Sequence, residues 1–206
     1  MIIAVDGPTA SGKGTIAKAL AAHFGLPHLD TGLLYRAVGW QCFLDGGDPD
    51  NGGDALAACS FPCSLLGDPE LRSEATGGYA SRVSVHPAVR AALYERQRAF
   101  ACQPGGAVLD GRDIGTVIAP EAGLKLFVVA SVPARAERRF REMQAQGREV
   151  SLAEIAADLE ARDARDRTRA EAPLVAAADA VLLDTSDLSP DAAIARSIAL
   201  AEQRRH

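Results

Sequence analysis

The chain has 206 residues, enough for one sizeable core with small appended lobes and too few for two comfortable domains. Its 22 basic and 27 acidic side chains leave a formal charge of −5, so no overall positive field exists to hold nucleic acid, and any anion site has to be a local cluster. Apolar runs are short and broken by charge or glycine, and the N-terminal MIIAVDG reaches an aspartate at position 6, so neither a membrane span nor a signal peptide is expected.

In chain order, the β-branched run Ile2 to Val5 reads as a buried strand that delivers the glycine loop GPTASGKGT, residues 7 to 15. From Gly14, apolar residues at helical spacing predict a helix that stops at Gly25. PHLD and then TGLLYRAVGWQCFL repeat the idea as a short strand and a helix. The Gly- and Asp-rich piece at 45 to 54 reads as an exposed loop. A calcium loop starting at Asp48 would put Gly52 at position five and Cys59 at position twelve, where oxygen ligands are required. VHPAVRAALYERQRAF predicts a helix with Pro87 in its first turn, and further strands are expected at 107 to 110, 124 to 131 and 180 to 184. SLAE at 151 is a capping-box pattern that predicts a helix through IAADLEARDARDRTR. Short strands without clean alternation, interleaved with helices, imply an α/β fold whose parallel sheet is buried on both faces.

Cys42, Cys59, Cys63 and Cys102 fall at irregular spacing, and reduced thiols are expected, since a zinc site on the Cys59–Cys63 pair would need two more ligands at motif spacing.

The glycine loop combines backbone N–H groups, a helix N-terminus and the Lys13 ammonium, which together solvate a polyphosphate. It departs from the usual P-loop, in which Ser or Thr follows the lysine at once, because Gly14 intervenes and the hydroxyl arrives at Thr15. Gly7, Pro8, Thr9, Ala10, Ser11, Gly12, Lys13, Gly14 and Thr15 form the candidate donor-phosphate site, with Lys13 reaching the β- and γ-phosphates.

The G-K-G-T loop, LDTGLLYR at 29 to 36, AVLDGRDIGTV at 107 to 117 and RDARDRTRAEAPL at 162 to 174 occur in the order in which they stand in the bacterial cytidylate kinases, nucleoside monophosphate kinases that the chain resembles over most of its length. The resemblance implies a P-loop NTPase-type five-stranded parallel sheet with helices on both faces, a short acceptor-binding insert and an arginine-rich lid. One kinase domain, 1–206, would have a core at 1–36, 97–131 and 174–206, the insert at 37–96, and the lid with its flanking helices at 132–173. It also implies transfer of the γ-phosphoryl of ATP to CMP or dCMP with Mg2+, by a cytoplasmic monomer acting on small nucleotides.

By position, the resemblance assigns Arg36 and Arg112 to the acceptor phosphate, Thr31, Ser81, Arg90, Asp113, Asp166 and Arg169 to the acceptor, and Arg162 to a lid that closes on the phosphates. A planar guanidinium suits a phosphate better than lysine does, and an acceptor already ionised at pH 7 needs no strong general base, so none is nominated. Asp110, at the end of an apolar strand, is assigned with Thr15 to the magnesium, the alternative being a helix N-cap. Arg90, near a helix N-terminus, opposes the helix dipole, as a residue kept for a ligand would, or is a plain surface arginine. Arg162, Asp166 and Arg169 share a helical face, and spacing alone also allows a solvated salt-bridge ladder. The stretch from about Leu44 to Pro69 is short for the hairpin-bearing insert of longer relatives. Alternatives are another P-loop small-molecule kinase, such as a UMP or AMP kinase, and a non-enzymatic NTP-dependent switch.

Overall fold

The computed structural model describes residues 1–145 and 147–204. It has two compact units, Met1–Leu29 with Ala101–His206, and Asp30–Phe100.

The first unit is built on parallel strands. β1 (Ile2–Asp6) pairs with β3 (Ala107–Gly111), matching Asp6 to Gly111, and on its other edge with β4 (Leu124–Val129), matching Asp6 to Phe127. β4 pairs with β5 (Val181–Asp184), and the sheet order is β2-β3-β1-β4-β5, where β2 is His28–Asp30. Both faces are covered, which is why Ile3, Ala4, Val5, Val108 and Leu109 are buried in succession without the alternation of a half-exposed strand. Ile16, Ala17 and Leu20 of α1 (Lys13–Phe24) and Ala193 and Ala201 of α8 (Pro190–Gln203) join Ile3, Val5, Leu126 and Val128 in the main core. A second cluster, Ala136, Met143, Ile155 and Leu159, zips α6 (Val132–Ala145) to α7 (Leu152–Thr168).

β1 lies between β3 and β4, so the chain leaves its C-terminal end at a point where the strand order reverses. Open parallel sheets bind ligands at such points. The five strands answer the sequence reading, with β1 and β3 each one residue longer than expected, β5 one shorter, and β4 two shorter, because Ala130 and Ser131 already turn toward α6.

The second unit is helical among its described residues after the sheet strand β2. It comprises α2 (Thr31–Leu44), α3 (Gly52–Ala57), three 3-10 turns between Ala58 and Arg72, α4 (Glu74–Val83), and α5 (Pro87–Ala101), which runs on to the unit boundary. α2 packs closely on α4: a Cβ on Gly39 would stand 2.7 Å from Tyr79 Cβ, so any larger side chain would push the helices apart. The Gly- and Asp-rich piece is more ordered than an open loop. Arg82 binds Asp48 at 2.7 Å and Asp50 at 2.6 Å, and Asn51 caps α3, so its last residues are already helical. The segment judged short for a hairpin sheet forms helical turns instead. Among the described residues no helix is long and apolar enough to cross a membrane, and all four cysteines are free.

Candidate active site

The glycine loop leaves β1 and enters α1, and its backbone explains its composition. Gly7 has φ 153°, and a Cβ there would lie 2.1 Å from the Val128 carbonyl oxygen, so only glycine lets the loop pass over β4. Gly12 has φ 88° and stands at the N-cap of α1. Ala10 has φ 61°, a left-handed conformation that an alanine holds only when its surroundings impose it. Pro8 and Ser11 are buried, and the Ser11 carbonyl accepts the Thr185 hydroxyl at 2.9 Å. Lys13, Gly14 and Thr15 form the first turn of α1, where N–H groups lack intrahelical acceptors.

Ser11, Lys13 and Thr15 line a cavity of about 670 Å³ together with Arg138, Thr185 and Leu188. Arg138 donates to the hydroxyl of Thr185 at 3.1 Å and to its carbonyl, which anchors this cation at the mouth of the loop. Sequence reasoning passed over Arg138, one of several arginines in RAERRFRE with nothing in spacing to single it out.

Arg112, just after β3, reaches the loop directly. Its Nη2 donates to Thr9 Oγ1 at 2.5 Å and its Nε to Asp166 Oδ2 of α7 at 2.7 Å. Asp166 is buried, which works to raise its pKa, but the charges of Arg112, Arg162 and Arg169 overcome that and hold the carboxyl below the usual aspartate range. The charges of Arg162 and Arg169 both act on the Asp166 carboxylate, although α7 ends at Thr168, so Arg169 stands at its C-cap and not on the expected helical face. Arg169 turns back to the Ala172 carbonyl through Nη2 at 2.7 Å and Nε at 3.1 Å. A buried Asp166 excludes a wholly solvated ladder.

Asp113 is buried, and its carbonyl accepts from Val117 and Ile118 as it opens a single π-helical turn, Ile114–Ile118. Asp6 binds that turn from below. Its carboxylate accepts from Ile114 N at 2.9 Å and Gly115 N at 2.8 Å, yet burial outweighs both bonds and raises its pKa to about 7. Asp110 lies within β3, not at a helix N-cap. One oxygen is bound by His28 Nε2 at 2.7 Å, and the other would stand 3.7 Å from a Cβ on Gly14, so a hard oxygen faces the first turn of α1.

In the helical unit, Thr31 opens α2 and is buried. Arg36 Nη1 donates to the carbonyls of Leu71 at 2.7 Å and Ser73 at 2.8 Å, and its guanidinium lies against Gly77, where a Cβ would approach to 2.9 Å. Arg90 is buried, not a surface arginine. It lies 5.7 Å from the Tyr35 ring centre and donates to the Ser84 carbonyl at 3.4 Å, while Ser84 Oγ donates to the carbonyl of buried Ser81. Arg90, Tyr35 and Ser84 thus form one small cluster inside this unit, and Ser84 links it to the Ser81 backbone.

The family model described as cytidylate kinase matches residues 3–59 and 66–203. A cytidylate kinase of Azorhizobium caulinodans is 53% identical over 205 residues, covering 100% of both chains. One of Xanthobacter autotrophicus is 54% identical over 205 residues, covering 100% of this chain and 99% of its own, and one of Cereibacter sphaeroides is 55% identical over 203 residues, covering 98% and 96%. A solved structure of an uncharacterized protein from Eubacterium ventriosum shares the fold, with a TM-score of 0.57 at 16% identity over 98% of each chain.

Proposed function

The chain belongs to the cytidylate kinase family and so is a phosphotransferase that phosphorylates CMP, and from that premise we propose how its residues divide the work. The observation that carries the proposal is the Arg112 guanidinium on Thr9 of the glycine loop, because a phosphate-binding arginine at the rim of a donor loop is what joining two phosphorylated nucleotides requires.

The loop from Gly7 to Thr15 holds the ATP phosphates on backbone N–H groups, and Lys13 neutralises charge on the transferring group. Arg112 and Arg36 orient the acceptor phosphate, so that one of its oxygens attacks the γ-phosphorus in line while the bond to the ADP oxygen breaks. Arg162 meets the phosphates when the lid excludes water. Thr31, Ser81, Arg90, Asp113, Asp166 and Arg169 recognise the CMP or dCMP acceptor.

Thr15 and Asp110 offer only hard oxygen donors, and Asp110 faces the first turn of α1, a set that fits magnesium. Bound there, Mg2+ would supply charge neutralisation to the β- and γ-phosphate oxygens. A cytoplasmic monomer that binds small nucleotides and no nucleic acid completes the reading.

The test is a panel of CMP, dCMP, UMP and AMP offered with ATP and Mg2+. CDP should form fastest. Turnover of UMP or AMP with CMP left untouched would overturn the acceptor assignment.

A further inference from the structure

Two arginines reach one residue of the donor loop, one at its carbonyl and one at its hydroxyl, and both are held by the same helix. Arg135 of α6 is 2% exposed, and its Nη1 donates to the Thr9 carbonyl at 3.2 Å and to Asp163 Oδ1 at 3.0 Å. Its Nη2 donates to Asp163 Oδ2 at 2.7 Å and its Nε to the Ala130 carbonyl at 2.9 Å, so the guanidinium is bound on every side. Asp163 is itself 3% exposed. Arg112 donates to the Thr9 hydroxyl and to Asp166, which follows Asp163 by three residues on the same face of α7. A buried pair replaceable by apolar side chains is weak evidence for stability, which leaves open what geometry it secures. Here that geometry is specific. The Thr9 carbonyl precedes Ala10, whose left-handed backbone needs an imposed setting, and the Thr9 hydroxyl touches the arginine assigned to the acceptor phosphate.

We infer that Thr9 is a positioning junction: Arg135, tethered by Asp163, holds its carbonyl and sets the donor loop, while its hydroxyl sets Arg112, so that α7 brings donor and acceptor groups into one register. This rests on the reading of the loop and of Arg112 given above. Thr9 Oγ1 then acts on the acceptor side of the reaction although it belongs to the donor loop. Arg135 and Asp163 act on the donor side although neither belongs to the loop.

The experiment compares Thr9→Val, Thr9→Ser and Asp163→Asn with the wild type, by steady-state kinetics and by calorimetric titration of a non-hydrolysable ATP analogue with Mg2+. Thr9→Val loses a charge-assisted hydrogen bond and should raise the KM for CMP about tenfold while the KM for ATP stays within about twofold, and Thr9→Ser should restore it. Asp163→Asn should weaken binding of the analogue about tenfold and leave the KM for CMP within about twofold. If Asp163→Asn does not fold, Arg135→Met with Asp163→Leu removes both charges at similar volume, and should show the same loss of analogue binding. Unchanged constants in folded variants would make the junction merely structural and overturn it, as would a Thr9→Val variant that loses ATP affinity alone. A wild type that binds the analogue but leaves CMP unphosphorylated would instead overturn the acceptor assignment, and the Asp163 titration would still decide whether the pair sets the loop.

Discussion

Lys13 and Arg90 show how much single positions can carry. Lys13 stands at the first position of α1 on the wall of the cavity, so its charge joins the helix N-terminus in one direction. Lys13→Ala should lower kcat by about 100- to 1,000-fold with the melting temperature nearly unchanged, as loss of a preorganised charge does. Comparable turnover in a folded variant would exclude the loop as the donor site. Arg90 could be read from sequence only as a cation near a helix N-terminus. The structure buries it against the Tyr35 ring and the Ser84 carbonyl, a setting in which a base contact would already be made in the ground state. Arg90→Ala should therefore raise the KM for CMP about tenfold and narrow the preference for CMP over UMP, with a smaller effect on kcat. An unchanged ratio of specificity constants would remove Arg90 from base recognition.

At the scale of elements, α7 concentrates most of what sequence left open. Its start was legible because Ser151 and Glu154 cap it reciprocally, a local pattern that needs no tertiary context. Its inner face was not. RDARDRTR can be drawn as a solvated ladder, and one such rung exists, Arg167 to Asp163 at 3.8 Å, but the shortest bonds of Asp163 and Asp166 are to Arg135 and Arg112, 28 and 54 positions away. Arg162 lies one turn before Asp166 and contributes to lowering its pKa. Under the proposed lid role, Arg162→Ala should lower kcat about tenfold or more with little change in the KM for either substrate, because its guanidinium would meet the phosphates only after closure. Wild-type kinetics in this variant would return Arg162 to a purely electrostatic role beside Asp166. The turn Ile114–Ile118 belongs to the same scale: Arg112 and Asp113 are legible as a motif, but the buried carboxylate beneath them comes from β1.

For the whole molecule, that carboxylate sets a pH dependence. Asp6 has a folded pKa raised to about 7 from 3.8, so the folded state holds its proton more tightly than the unfolded chain does. Its contribution to stability is fully present below about pH 4 and is lost as pH rises through about 7. Asp6→Asn removes the titration. The melting temperature of the wild type relative to this variant should fall between pH 4 and pH 7 and stay level above, a trend opposite to that of Asp166, whose lowered pKa makes it stabilising above the aspartate range and lost toward acid. A difference that stays flat across that window would mean that Asp6 is ionised throughout it.

The five strands, the glycine loop between β1 and α1 and the capped start of α7 were readable from the chain, since β-branched runs, glycine positions and capping residues express forces that act locally along it. Tertiary structure decided what those forces cannot reach. It buried Arg90 where helix position alone allowed a surface residue, made helical turns of the segment from Ala58 to Arg72, and set Arg135 and Asp163 beneath the loop at Thr9. Buried ionic groups find partners by packing, and packing joins residues with no regard to their separation along the chain, so no local pattern could have named those pairs.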